Sequence, residues 1–408
     1  MLINRDLKNK LLWCFASIFA VFSVPLWAEA ASLYLFPQAQ TIYQNESFII
    51  SLMIDTENEE INAIEAYLNF PQAQLEVLDL GKGGSILSLW PKEPSYSNQS
   101  GEISFSGGIP NGFKGQGKLL SIVFRVLPNV VQGTAASISF KDSSQVLLND
   151  GLGTPAELSF QEGNYQIIER PEGLPIISSK THPDQNKWYQ GTTLHLHWDL
   201  IEGAEYSYLL SYDPAEEPDK TPDTPEGELM WLGDMEYKGL EDGIYYFHLR
   251  EKRGTDAEPY AEQRGKWGPK VTFRAMIDAT PPEDFQPQIT EIEGKKYLVF
   301  ATIDKTSGVD YYQTLEADGR GFIRRLIQKD IKEEWKRAES PYLLEDQILR
   351  SRILLRAVDK AGNERRAEIL PPFRIIWEDI IILFLILIVI GVILWTIRRI
   401  ITKQKRNL

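Results

Sequence analysis

The two most apolar stretches of this chain lie at its two ends, and they constrain its organisation before anything else does. Residues 380–397 run 18 positions without a charge. As a helix rising about 1.5 Å per residue, that run reaches about 27 Å, close to the roughly 30 Å of a bilayer core. Trp377 and Trp395 stand near its ends, and Arg398, Arg399, Lys403, Lys405 and Arg406 follow it. Interfacial tryptophans and a basic cytoplasmic flank are what a membrane-spanning helix carries. At the other end, Arg5, Lys8 and Lys10 precede an apolar run over 11–27 and then Ala28-Glu29-Ala30. That is the charged, apolar and small-residue layout of a secretory leader. The sequence therefore predicts a signal peptide over 1–30, a single transmembrane helix over 375–398 and a basic cytoplasmic tail over 399–408. The residues between are expected outside the cell membrane.

That exterior carries a strong negative charge. Setting aside Arg5, Lys8, Lys10, Asp6 and Glu29 of the leader and the five basic residues of the tail leaves 35 basic against 55 acidic residues, a net of −20. Such a field repels phosphate, which excludes nucleic acid as a partner and argues against adhesion to anionic lipid. Apolar residues make up 43% of the chain, enough to bury a core rather than remain disordered. The only cysteine, Cys14, falls in the leader. The exterior is thus expected to fold without disulfides, by burial alone.

Two clusters of turn-forming residues divide the exterior: Glu169-Arg170-Pro171-Glu172-Gly173 and Asp278-Ala279-Thr280-Pro281-Pro282. Between them lie short β-branched and aromatic runs separated by turn signals, as in β-sandwiches, with no strand–helix alternation. The expectation is an all-β exterior of three domains, over 31–168, 169–280 and 281–374. In the first, strands are predicted over 47–54, 61–70, 75–80, 102–105, 118–126, 136–140, 145–148 and 164–168. The run over 61–70 is the most legible. Period-two alternation turns Ile64, Ala66, Leu68 and Phe70 inward and Ala63, Glu65, Tyr67 and Asn69 outward.

An ordered set of stretches in this domain resembles cohesin domains. It comprises Ile61-Asn62-Ala63-Ile64-Glu65-Ala66-Tyr67-Leu68-Asn69-Phe70-Pro71 with Leu75-Glu76-Val77, then Gly101-Glu102-Ile103-Ser104-Phe105, then Gly117-Lys118-Leu119-Leu120-Ser121-Ile122-Val123-Phe124-Arg125-Val126, then Leu148-Asn149-Asp150-Gly151. The resemblance implies a nine-strand jelly-roll sandwich that receives a dockerin-like protein in polysaccharide degradation or surface attachment. It also implies that the outward residues Glu65, Tyr67 and Asn69 take part in partner binding. One departure is that cohesins usually carry Asp before the proline, where this chain has Phe70-Pro71.

The second domain resembles fibronectin type III or immunoglobulin-like sandwiches. Leu194, Leu196 and Trp198 alternate with His195 and His197, and Leu240-Glu241-Asp242-Gly243-Ile244-Tyr245-Tyr246-Phe247 resembles a late strand with a tyrosine at its entry. The third resembles bacterial immunoglobulin-like repeats, through Ile353-Leu354-Leu355-Arg356-Ala357-Val358-Asp359-Lys360-Ala361-Gly362-Asn363. Its Gly-Asn pair suits a turn between two strands.

Chemistry-bearing motifs are sparse. His195-x-His197 is half of a metal site by spacing, but no third ligand is evident, and exposure opposite the core face accounts for both imidazoles. Asn149-Asp150-Gly151 and residues 304–310 offer loop carboxylates of the kind that bind calcium. Neither has EF-hand spacing, and both read as turn formers. Trp188, Trp231 and Trp267 are the candidates for a sugar-stacking platform. No nucleophile elbow, zinc-protease helix or phosphate loop occurs. The sequence therefore predicts no catalytic residue, no metal ligand and no cofactor. The expected function is a non-enzymatic anchored receptor for a dockerin-like protein, with direct binding of a surface polysaccharide as the alternative.

Overall fold

The computed structural model describes residues 30–201, 203–223, 233–253, 265–317, 334–370 and 377–406. Apart from Ala30, the expected signal peptide lies outside the described residues. The chain divides into two compact units, residues 1–80 with 85–171, and residues 81–84 with 172–408.

The first unit is built from two sheets. One has the order β11 (Leu158–Gln161), β1 (Ala31–Phe36), β3 (Ser47–Asp55), β8 (Gln116–Val126), β5 (Leu75–Gly81). The other has the order β2 (Ala39–Tyr43), β12 (Gly163–Ile168), β9 (Ala135–Phe140), β4 (Ile61–Asn69), β7 (Glu102–Phe113), β6 (Leu89–Ser97), with β10 (Gln145–Leu148) also paired to β4. Most neighbours are antiparallel; β1 with β11 and β2 with β12 run parallel. The core lies between the sheets. Leu33, Ile50, Leu52 and Ile122 of the first meet Ile64, Ala66, Leu68 and Phe105 of the second in one buried cluster. Aromatic rings pin the layers together: Phe48 lies 5.2 Å from Tyr165, and Phe70 meets Phe124 edge-on at 5.4 Å.

This is the jelly-roll sandwich expected, with twelve described strands rather than nine. The extra pieces come mainly from two paths that change layer. β1 and β2 are separated only by Pro37 and Gln38, and β11 and β12 only by Glu162, yet each pair is split between the sheets. The alternation predicted for β4 holds, since Ile64, Ala66, Leu68 and Phe70 are buried while Glu65 and Tyr67 are half-exposed and Asn69 is exposed.

The second unit contains two further pairs of sheets. In the first pair, β13 (Ser178–Ser179), β15 (Leu194–His197) and β17 (Asp234–Tyr237) form one sheet. β14 (Trp188–Tyr189), β19 (Val271–Ile277), β18 (Gly243–Lys252) and β16 (Glu205–Ser211) form the other. Three strands facing four is the layering expected of an immunoglobulin-type sandwich. Trp198 fills its core 5.7 Å from Phe247. The Tyr245 hydroxyl donates to the Glu241 carbonyl at 3.0 Å, four residues upstream, closing the corner at the start of β18. The second pair repeats the plan. β20 (Gln288–Ile292), β21 (Lys295–Val299) and β24 (Tyr342–Leu343) stand against β23 (Lys336–Ala338), β22 (Val309–Ala317), β25 (Arg352–Asp359) and β26 (Glu364–Ile369). Leu298, Phe300, Leu344 and Leu355 form its core.

The last element is α1 (Trp377–Arg406), and its stretch Leu383–Thr402 is long and apolar enough to cross a membrane, with a mean hydropathy of 2.4. The helix does not stop at 398. Ile400 and Ile401 extend the apolar run, and Lys403, Gln404, Lys405 and Arg406 are good helix formers, so most of the predicted tail is a further helical extension.

Candidate functional site

The outer face of β4 is the site that the sequence singles out, and β7 and then β6 continue the sheet beside it. β7 runs beside β4 with Ser104 opposite Tyr67, Ser106 opposite Glu65 and Gly108 opposite Ala63. β6 extends the same rows with Ser95 opposite Ser104, Lys92 opposite Ser106 and Leu89 opposite Gly108. Small residues fill the middle strand, so the longer side chains of β4 and β6 rise on either side of a shallow lane. Leu89, on the same face, is an exposed apolar side chain.

Four side chains at the centre of this face are already coupled. The Tyr67 hydroxyl donates to Glu65 Oε1, Gln145 Nε2 donates to Glu65 Oε2 at 3.1 Å, and Lys92 Nζ lies 4.9 Å from the centroid of the Tyr67 ring. The hydrogen bond from Tyr67, with lesser help from Gln145 and Lys92, holds the Glu65 carboxyl below its usual range. The same bond raises the Tyr67 phenol. The backbone under Tyr67 is fixed from behind. Its N–H donates to Ser144 Oγ at 3.0 Å, and its carbonyl accepts from Lys141 N at 2.9 Å. Asn69 stands at the end of the strand beside Glu102, which pairs with Lys141. Glu65, Tyr67 and Asn69 thus share one face. Lys92 completes it, and nothing in the spacing of the sequence pointed to Lys92, because it comes from an edge strand with two register shifts.

No family model matches the chain, and no curated protein matches it. Solved structures do match the first unit. The seventh ScaB type I cohesin from Pseudobacteroides cellulosolvens is 15% identical with a TM-score of 0.31, covering 36% of this chain and 96% of that one. The cohesin of a type I cohesin–dockerin complex from Clostridium thermocellum is 16% identical with a TM-score of 0.30, covering 35% and 95%. A type II cohesin from Acetivibrio cellulolyticus is 15% identical with a TM-score of 0.27, covering 33% and 95%. The first unit is similar in fold to cohesin domains. The residue before Pro71, where the sequence departs from the resemblance, has a structural reason. Phe70 is buried against Phe124, and its position before Pro71 serves the core.

The remaining candidates are dispersed. His195 and His197 point away from the core, as expected, and Asp234 of β17 stands between them. Asp234 Oδ1 is 3.1 Å from His197 Nδ1 and 3.7 Å from His195 Nε2. These three do not close into a ligand set, since the group of three metal-ligating side chains found among the described residues lies elsewhere. His182 and His248 are buried. His248 Nε2 donates to the Asp213 carbonyl at 3.0 Å, which leaves Nδ1 to accept from Thr272 Oγ1 at 2.9 Å. Trp188 pairs with Met276 at one end of β19, whereas Trp267 bridges Lys252 beyond the other end, so they do not form one platform. Trp231 lies outside the described residues. Asp150 is a turn former, accepting from Leu152 N at 2.8 Å and from Thr154 Oγ1.

Asp304 is a turn former too, accepting from Thr306 N at 3.1 Å and Gly308 N at 2.8 Å. The structure adds what the sequence did not reveal. One oxygen from each of Asp278, Asp304 and Asp359 lies within 4.8 Å of the others. The three residues are 0%, 7% and 2% exposed. Burial pushes Asp278 up to about 6 and also raises Asp304 and Asp359.

Proposed function

We propose that this protein is a non-catalytic surface receptor, anchored by α1, whose cohesin-like unit captures a dockerin-like protein. The outer face of β4, β7 and β6 carries the proposal. It offers Tyr67 as an amphipathic aromatic anchor beside the polar Glu65, Asn69 and Lys92, over a lane of serine and glycine that leaves room for a partner. A large apolar ring with one polar end is the commonest kind of interface anchor. The stretches that resemble cohesins include this strand and its neighbour β7. On this reading the signal peptide exports the chain. The two sandwiches of the second unit space the receptor from the bilayer, and the captured partner brings polysaccharide-degrading or attachment functions to the surface.

The test is direct binding of the full chain in detergent micelles to immobilised type I and type II dockerins, beside a plant and bacterial glycan array. Saturable capture of a dockerin, with a silent array, is the expected result. Binding to a glycan with no dockerin captured would sink the receptor reading.

A further inference from the structure

Three carboxylates buried together are unstable as free anions, because desolvation and mutual repulsion both oppose charge. Such a group is resolved by protons, by cationic side chains or by a metal ion. Among the described residues no Lys, Arg or His forms an ion pair with Asp278, Asp304 or Asp359, and the charges that act on each are those of its fellow carboxylates. Hydrogen bonds do not complete the shell either. Asp278 accepts from Thr280 N at 3.1 Å and Ser307 N at 3.1 Å, and Asp359 accepts from Asn363 N and Nδ2, both at 2.8 Å. At Asp304 all the donors go to Oδ1. Its Oδ2, on a side chain more than nine-tenths buried, takes no hydrogen bond from any described residue. That oxygen keeps its lone pairs for an incoming ligand.

We propose that Asp278, Asp304 and Asp359 form a calcium site joining the two sandwiches of the second unit. The donors are all carboxylate oxygens, the hard ligands that calcium prefers, with no imidazole or thiolate to favour zinc. Calcium–oxygen distances of about 2.3–2.6 Å let one ion bridge oxygens up to about 5 Å apart, which accommodates this spacing. The three ligands come from places that a joint must tie. Asp278 follows the last strand of one sandwich, β19, while Asp304 lies in the loop after β21 and Asp359 ends β25 of the next. Asn363 Nδ2 already donates to both Asp359 Oδ2 and the Asp278 carbonyl at 2.8 Å, so the ion would lock a seam that hydrogen bonds have begun.

The experiment is calorimetric titration of the full chain in micelles, stripped with chelator, with calcium chloride and separately with magnesium chloride, and thermal unfolding with and without about 10 mM calcium, above the weakest class of protein calcium sites. Saturable calcium binding and a rise of several degrees in the midpoint are expected, with magnesium much weaker. Asp304→Asn keeps the turn acceptor and should bind calcium at least tenfold more weakly. Asp359→Asn provides the same reading should Asp304→Asn fail to fold. If wild type shows neither heat nor shift, the cluster is held by protons and the proposal fails. It fails equally if Asp304→Asn and Asp359→Asn bind calcium as wild type does, since the ion would then sit elsewhere on the acidic surface.

Discussion

Tyr67 and Glu65, two residues apart on the outer face of β4, are joined by a hydrogen bond from the phenol to the carboxylate, and Lys92 lies 4.9 Å from the centroid of the same ring. This bond fixes the ring before any partner arrives. A preordered aromatic loses less freedom on binding, which favours its use as an anchor. Tyr67→Ala is therefore expected to weaken capture of a dockerin about thirtyfold, the loss typical of a central hot spot. Its thermal midpoint should stay close to that of wild type, because Tyr67 is on the solvent side of the sheet. Normal binding by a folded Tyr67→Ala variant would remove this face from the receptor reading.

Leu68, the next residue, gives the complementary result. It is fully buried between the two sheets, opposite Ile103 on β7 and Phe140 on β9. Leu68→Ala should cost about 2–5 kcal/mol of stability through lost burial and the cavity left behind. Denaturant unfolding of the full chain in micelles, followed by tryptophan fluorescence, would show it. Affinity for the partner, measured on the folded fraction, should not change. A loss below about 1 kcal/mol would mean that β4 is not packed as described.

The corner at Tyr245 offers a test of the second unit. Its hydroxyl donates to the Glu241 carbonyl at 3.0 Å, so the neighbouring Tyr212 hydroxyl, 2.7 Å away, is left to donate to Tyr245. Tyr245→Phe keeps the ring and removes both bonds. Tyr212 is exposed and can turn to water, whereas the Glu241 carbonyl loses its donor. The expected cost is about 1 kcal/mol, seen as a lower unfolding midpoint. An unchanged midpoint would show that the corner contributes no stability.

What the sequence revealed follows from which strands obey simple periodicity. β3 and β8 pair with each other, and β4 with β7, over most of their length, and their alternation or apolar density is plain. β6 was missed because Pro91, Glu93 and Pro94 read as a loop. It is an edge strand, where prolines are tolerated, and its register shifts at Lys92 absorb them. β7 was read only as far as Phe105, since Gly107 and Gly108 look like a break. The strand runs on because a Cβ at Gly107 would lie 2.5 Å from Leu87, so glycine is what close packing demands there. Of the candidate site, the outward turn of Glu65, Tyr67 and Asn69 followed from period two and their binding role only from the resemblance, whereas Lys92 depends on the pairing of β6 with β7. The carboxylate group was illegible for a different reason. Asp278, Asp304 and Asp359 sit in three turns, each with its own local hydrogen bonds, and only the packing of one sandwich on the next brings them together.

His248 predicts how stability changes with pH. It is fully buried, donating to the Asp213 carbonyl and accepting from Thr272, and burial with the nearby Lys270 lowers its pKa from 6.5 to about 4, against the smaller opposing pull of Asp213 and Glu216. Between those values the unfolded chain binds a proton that the folded chain refuses. The stabilisation is therefore complete above about pH 6.5 and is lost as pH falls toward about 4, a change of roughly 3 kcal/mol. Other groups titrate in this window. Burial lowers His182 as well, and Asp278 has the opposite sign, its contribution being lost as pH rises through about 6. The variant His248→Gln isolates the one term, since its side-chain amide can keep the donor to Asp213 without gaining a proton. The unfolding midpoint of wild type, followed from pH 7.5 to 4.5 at fixed calcium, should fall more steeply than that of the variant, with the two curves converging toward pH 4.5. Parallel curves would show that His248 takes up no proton on unfolding in this range.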